Sequence, residues 1–124
     1  MAIKFGTDGW RAIMAEEFTF PNVRIVAFAI AKYIKDVNKQ SKGIVIGYDT
    51  RFLSEKFAET CAQVMLANDI KVYLMERDTP TPVTAFTVLE KNAAGAIMLT
   101  ASHNPPLYNG LKFIPEYGGP ANPQ

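Results

Sequence analysis

Short apolar runs alternate with longer amphipathic stretches along this chain, and the alternation predicts its elements. Residues 3–5 are a short apolar strand, the turn-prone Gly6-Thr7-Asp8-Gly9 follows, and residues 10–14 suit a return strand. Thr19 and Asn22 offer capping side chains, with Pro21 suited to a first helical turn. Beyond them Val23, Val26, Ala27, Ile30, Ala31 and Ile34 recur at helical spacing, and Gly43 ends the segment. Residues 44–46, Ile-Val-Ile, read as a buried strand. Ser54 is expected to cap the next helix, with Phe57, Cys61, Val64 and Met65 on its inner face. Residues 70–75 alternate apolar with polar and predict a strand. Residues 79–82, Thr-Pro-Thr-Pro, form a stiff loop into a short helix through Val83, Phe86, Val88 and Leu89. The run 94–99 is a buried strand that His103-Asn104-Pro105-Pro106 cannot continue, and residues 111–114 are a last strand.

Strand and helix alternating at this spacing imply βαβ crossovers and an α/β fold, its largely parallel sheet covered on both faces. Asp49-Thr50-Arg51, residues 79–82 and residues 100–102 each follow a strand, so they should emerge together at the carboxyl edge, where open α/β sheets bind ligands. The stretch 116–124 reads as a loop without a closing helix. The expectation is therefore a single domain cut from a longer protein before its last helix, with uncovered apolar surface able to drive self-association.

Composition narrows the classes. At 124 residues with a formal net charge of +1, the chain is long enough for one core and has no basic surplus for nucleic acid. The apolar runs are too short to span a bilayer, and the N-terminal residues lack the apolar centre of a secretory signal. A cytoplasmic protein is expected. Cys61 is the single cysteine, so no internal disulfide can form, and it is read as a packed helix thiol.

The chemistry concentrates after residue 99. Thr100-Ala101-Ser102-His103-Asn104-Pro105 places a serine hydroxyl beside the single histidine at a strand end. From Thr100 to Lys112 there is no Asp or Glu, while His103 and Lys112 can both donate to an anion. Serine, imidazole, ammonium and turn amides suit phosphate better than a peptide bond, although the same residues also fit an ordinary strand-to-turn junction. A serine hydrolase is disfavoured: there is no Gly-x-Ser-x-Gly elbow, and adjacent residues of extended backbone point to opposite faces. Phosphoryl transfer asks for a nucleophile, cations around the phosphoryl oxygens, a metal and an acid/base, a set this stretch begins to supply.

Residues 100–106, Thr-Ala-Ser-His-Asn-Pro-Pro, followed by Tyr108-Asn109-Gly110-Leu111-Lys112, resemble the active-site loop of the α-D-phosphohexomutases, the phosphoglucomutase/phosphomannomutase family. Phe5-Gly6-Thr7-Asp8-Gly9-Trp10-Arg11 resembles that family's N-terminal signature. Gly47-Tyr48-Asp49-Thr50-Arg51 and Pro80-Thr81-Pro82 fall where the family has similar segments, so four motifs lie in register over nearly the whole chain.

The resemblance implies a three-layer α/β/α sandwich with a mostly parallel, mixed sheet, the first of the family's four domains. It implies that Ser102 carries a phosphoryl group, gives it to a hexose phosphate and recovers one from the hexose bisphosphate intermediate. His103 and Lys112 match residues near the transferring group, and Arg11 matches an arginine facing the phosphoserine. Mg²⁺ is implied as cofactor, with one ligand from the phosphate on Ser102 and the rest from a domain beyond this sequence. No Asp-x-Asp-x-Asp pattern occurs here, so residues 1–124 are expected not to run the mutase reaction alone. Trp10 and residues 106–108 favour the phosphoglucomutase/phosphomannomutase branch over a phosphoglucosamine mutase. A stand-alone phosphate-binding or interaction module is the reading of another class. Asp49 and Arg51 are read as a pair bracing their loop, Asn104 as ordering its turn, Thr7 and Asp8 as shaping the first loop, and Trp10 and Tyr108 as packing residues.

Overall fold

The computed structural model describes residues 9–16, 18–101 and 108–116. Among them the order is β1 (Trp10–Ile13), α1 (Phe20–Asp36), a 3-10 turn (Gln40–Lys42), β2 (Ile44–Tyr48), α2 (Ser54–Ala67), β3 (Val72–Leu74), α3 (Thr81–Lys91), β4 (Gly95–Leu99) and β5 (Tyr108–Pro115). The expected strand at residues 3–5 lies outside the described residues.

The sheet has the order β1-β5-β4-β2-β3. β2 pairs parallel with both β3 and β4, while β5 pairs antiparallel with β4 and with β1. β1 therefore runs in the direction of β2, β3 and β4, and β5 alone opposes them. The sheet is mixed, and half of its pairings are antiparallel because β5 returns directly beside β4 without a crossover helix.

Two cores flank the sheet. On one face α1 and α2 bury Val23, Ala27, Ile34, Phe57, Cys61 and Met65 against Ile44, Ile46, Ile97, Leu99 and Leu111. Trp10 stacks on Phe18 at 4.5 Å between ring centres, and Phe18 meets Phe57 edge-on at 4.8 Å. Each such ring contributes about 1.5–3 kcal/mol by burial, so this face holds most of the apolar stabilisation. On the other face α3 lays Val88 against Val45, Ala96, Met98 and Ile114. The three layers are thus unequal, with two helices on one side and one on the other.

Local chemistry accounts for most of the ends. The Thr19 hydroxyl accepts from the Asn22 N–H at 3.3 Å, and Pro21 sits in the first turn of α1. α1 stops at Asp36, earlier than the segment end expected at Gly43, which instead follows the 3-10 turn at φ 81°. The left-handed backbone there favours glycine. Ser54 does not cap α2. Leu53 is the N-cap residue, in left-handed conformation, and Ser54 is the first helical residue with its hydroxyl turned to Asp49. Cys61 is fully buried, as a packed thiol should be, and burial pushes it up to about 12. The outward side of α3 exposes Val83, Phe86 and Leu89. No described helix is long and apolar enough to cross a membrane.

Candidate functional site

The parallel register of β2, β3 and β4 ends these strands at a common edge, and residues 49–51, 79–82 and 100–101 leave the sheet there. β1 ends at the same edge, where Ile13 pairs with Tyr108 at the start of β5. All three helices begin from this edge, with N-caps Thr19, Leu53 and Pro80. Their partial positive ends therefore face the side from which the polar loops emerge.

Two of the four site residues expected from sequence are described, and the sheet brings them together. Arg11 pairs with Gly110 and Lys112 pairs with Met98. Gly110 and Lys112 are two residues apart on one strand, so Arg11 and Lys112 share a face as diagonal neighbours, a relation of about 7–8 Å. Met98 belongs to the α3-side core, which places both cations on that side, on β5 and β1 beyond the strands β2 and β4 that α3 chiefly covers. Both are half-buried, and Arg11 Nε is fully enclosed. Ser102 and His103 lie outside the described residues, as do Thr7, Asp8 and Asn104.

Gly110 is the point of closest approach. A Cβ there would stand 2.5 Å from the Thr100 carbonyl oxygen, 2.8 Å from Arg11 Cγ and 2.8 Å from the Trp10 carbonyl oxygen. The Thr100 N–H donates to the Gly110 carbonyl at 2.9 Å. The end of β4, the start of β5 and the start of β1 are thereby drawn together beside Arg11, directly before Ala101 and Ser102 in the chain.

A buried polar network stands next to this contact. The Ser54 hydroxyl donates to Asp49 Oδ1 at 2.7 Å, and the Arg51 backbone N–H donates to the same oxygen at 2.9 Å. Asn109 Nδ2 donates to Ser54 Oγ at 3.0 Å and to the Phe52 carbonyl at 3.3 Å, while its Oδ1 accepts from the Gly110 N–H at 2.8 Å. Arg51 Nη1 donates to the Tyr108 carbonyl at 3.2 Å, and its Nε lies 3.8 Å from Asp49 Oδ2. Asp49 and Arg51 do brace their loop, and they also tie it to β5. Neither Ser54 nor Asn109 stands out from sequence as a site residue. The available signal is an asparagine between strand-like residues, where a polar amide needs buried partners.

Among the described residues no group of three or more His, Cys, Asp or Glu side chains could hold a metal ion. The edge offers donors in Arg11 and Lys112, and Asp49 is already engaged by Ser54 and the Arg51 backbone. The described residues do not by themselves fit Mg²⁺.

A family model described as phosphoglucomutase/phosphomannomutase, alpha/beta/alpha domain I, matches residues 2–124. The chain belongs to this family. It is 37% identical over 128 residues to a phosphoglucomutase of Staphylococcus saprophyticus, covering 98% of this chain and 22% of the relative. It is 44% identical over 109 residues to a Methanosphaera stadtmanae protein assigned as a phosphoglucosamine mutase, covering 88% of this chain and 23% of that one. Among solved structures, a Thermus thermophilus protein assigned as a phosphomannomutase superposes with a TM-score of 0.91 at 41% identity, covering 98% of this chain and 27% of that chain. The phosphohexomutase domain I fold is thus established here, on a chain spanning about a fifth of the length of these curated relatives. Identity within this phosphohexomutase domain does not separate the sugars, since relatives assigned to different ones match at comparable levels.

Proposed function

We propose that this chain is the phosphoserine-bearing first domain of a Mg²⁺-dependent phosphohexomutase that interconverts hexose 1-phosphate and hexose 6-phosphate. One observation carries the reading. Arg11 and Lys112 share a sheet face beside Gly110, which is hydrogen-bonded to Thr100, two residues ahead of Ser102. A phosphoserine carries close to two negative charges near neutral pH, and an incoming sugar phosphate brings a similar load. Two unit charges about 4 Å apart repel by roughly 4 kcal/mol at an effective dielectric near 20. Cations at that strand end offset this repulsion. Arg11, always charged and forked, clamps phosphoryl oxygens, and Lys112 stabilises the developing charge.

In the transfer the Ser102 Oγ–P bond breaks and a bond forms from phosphorus to a sugar hydroxyl oxygen. His103 takes up or returns the hydroxyl proton. The sugar bisphosphate then turns over and returns its other phosphoryl group to Ser102. Mg²⁺ in this reading would be held by the phosphate on Ser102 and by ligands from domains outside this chain, which would also supply sugar recognition, and would offset charge on the transferred group. The protein works in the cytoplasm, without nucleic acid or membrane partners. The phosphoglucomutase/phosphomannomutase branch is preferred on Trp10 and the 106–108 segment, with phosphoglucosamine mutase the neighbouring assignment.

The test is peptide mass mapping of the full-length protein that carries this domain, after incubation with glucose 1,6-bisphosphate and Mg²⁺. One phosphoryl group is expected on the peptide holding Ser102 and none in Ser102→Ala. An unmodified Ser102 peptide, or phosphate on another residue, overturns the reading in favour of a non-catalytic phosphate-binding module. Residues 1–124 alone are expected to give no turnover of glucose 1-phosphate, which a coupled assay for glucose 6-phosphate checks.

A further inference from the structure

We infer that Asn109 is a positioning residue for phosphoryl transfer, holding Gly110, and with it Thr100 and Arg11, in register through the Ser54–Asp49 relay. The inference rests on the proposed function and adds to it a residue that touches neither phosphate nor sugar. Asn109 and Ser54 are both fully buried. The amide satisfies both of its ends, with Nδ2 on Ser54 Oγ and the Phe52 carbonyl and Oδ1 on the Gly110 N–H. Ser54 in turn donates to Asp49 Oδ1, which also receives the Arg51 N–H. Arg51 closes the circuit by donating to the Tyr108 carbonyl. The loop after β2 thus holds two consecutive residues of β5, one by its side chain and one by its backbone.

What this circuit positions follows from the strand register. Gly110 pairs with Arg11 on one side, and on the other its carbonyl accepts from Thr100 at 2.9 Å. A shift of Asn109 moves Gly110, where even an added Cβ would stand within 2.8 Å of Thr100 O, Trp10 O and Arg11 Cγ. A small apolar residue at position 109 would fill the strand but leave Ser54 Oγ, the Phe52 carbonyl and the Gly110 N–H without their partner, a costly arrangement inside the fold. A residue of this kind tunes transfer through the geometry of the cations and the strand end, since rates fall steeply with small misplacements.

The test, made in the full-length protein that carries this domain, compares wild type with Asn109→Leu and, should that variant fold poorly, with Ser54→Ala. Amide hydrogen exchange is read at Thr100, Gly110 and, as a control, at the β2 amides. Phosphate uptake on Ser102 is followed against glucose 1,6-bisphosphate concentration. The inference expects about tenfold faster exchange at Thr100 and Gly110 with β2 unchanged. It also expects a maximal uptake rate about tenfold lower at an unchanged half-saturating concentration. Unchanged protection at Thr100, or faster exchange spread evenly over the sheet, overturns it. Wild type taking up no phosphate overturns the proposed function and this inference with it. The wild-type control therefore separates that failure from a failure of Asn109 alone.

Discussion

The two ends of the sheet treat polar residues in opposite ways. At the carboxyl edge Ser54 and Asn109 are fully buried and interlocked with Asp49, Arg51 and the β5 backbone. At the opposite edge Lys39 and Lys42 both pair with Glu116 in water, their side chains about a third exposed. A small 120 Å³ cavity lined by Ile34, Ala94 and Phe113 lies beside that ion pair. Buried polar groups are expensive to strand and so enforce a geometry, whereas exposed ion pairs contribute little and tolerate change. The edge proposed to handle phosphate is the one whose backbone is fixed by its side chains.

The largest effect that would break this contrast is expected at Gly110. Gly110→Val must push the Thr100 and Trp10 carbonyls apart, because even a Cβ would lie 2.5 Å and 2.8 Å from them. These are backbone atoms and cannot rotate away. The expected outcome is loss of the cooperative thermal transition, read by circular dichroism. A variant melting within a few degrees of wild type would show that the strand junction has room the structure denies.

Next in size is Ser54→Ala, which leaves the Asn109 amide without its 3.0 Å partner and Asp49 Oδ1 with one donor fewer. Stranding a buried polar group costs about 1–3 kcal/mol. Urea unfolding should report a lower midpoint with an unchanged slope. A change below about 0.5 kcal/mol, typical of a featureless surface site, would remove the network from the stabilising side of the comparison.

A third prediction sharpens the view of the interior between the two edges. Burial raises the Cys61 thiol from its ordinary 9.0 to about 12. Between those values the folded chain keeps a proton that the unfolded chain has lost, so stability falls as pH rises through the window and is fully present below it. The slope from this group is at most about 1.4 kcal/mol per pH unit. Tyr48, also raised by burial and then by Glu55, acts in the same direction. Chemical denaturation from pH 8 upward, repeated on Cys61→Ala, isolates the thiol's share as the difference in slope. Equal slopes in the two proteins would show that the thiol reaches water.

These elements also show what the residue pattern discloses and what it hides. The apolar run at 44–46 and the helical spacing from Val23 to Ile34 announce β2 and α1 because each element buries a continuous face against a single core. β5 is harder. Read as residues 111–114, it runs from Tyr108 to Pro115, because Asn109-Gly110 carries the residue types of a turn. Here the asparagine serves a distant serine and the glycine admits two neighbouring backbones, and neither reason is local. The antiparallel pairing of β1 with β5 joins residues about a hundred positions apart and leaves no mark on spacing. Ser54 misleads for a related reason. A serine at a helix start ordinarily caps it by accepting a backbone N–H, but here its hydroxyl donates to Asp49 and accepts from Asn109, and Leu53 takes the capping position. Of the site, Arg11 and Lys112 were legible through their motifs, and the sheet sets them on one face. Ser102 and His103 stand on sequence alone.

The smallest expected effect belongs to the opposite edge. Glu116 is held below the usual carboxylate range first by its hydrogen bond to Lys39 and then by Lys42. A lowered folded value means that its contribution is present above the ordinary 4.5 and is lost as pH falls through the folded value. The carboxylate is exposed, so salt and water screen most of the attraction. Glu116→Gln should shift the thermal midpoint at neutral pH by an amount near the limit of detection. It should also flatten slightly the decline in stability below pH 4.5, and about 1 M NaCl should erase both differences. If Glu116→Gln instead destabilised the fold as much as Ser54→Ala, the end of β5 would be held from both edges. The contrast between a braced edge and a permissive one would then give way to a strand clamped along its whole length.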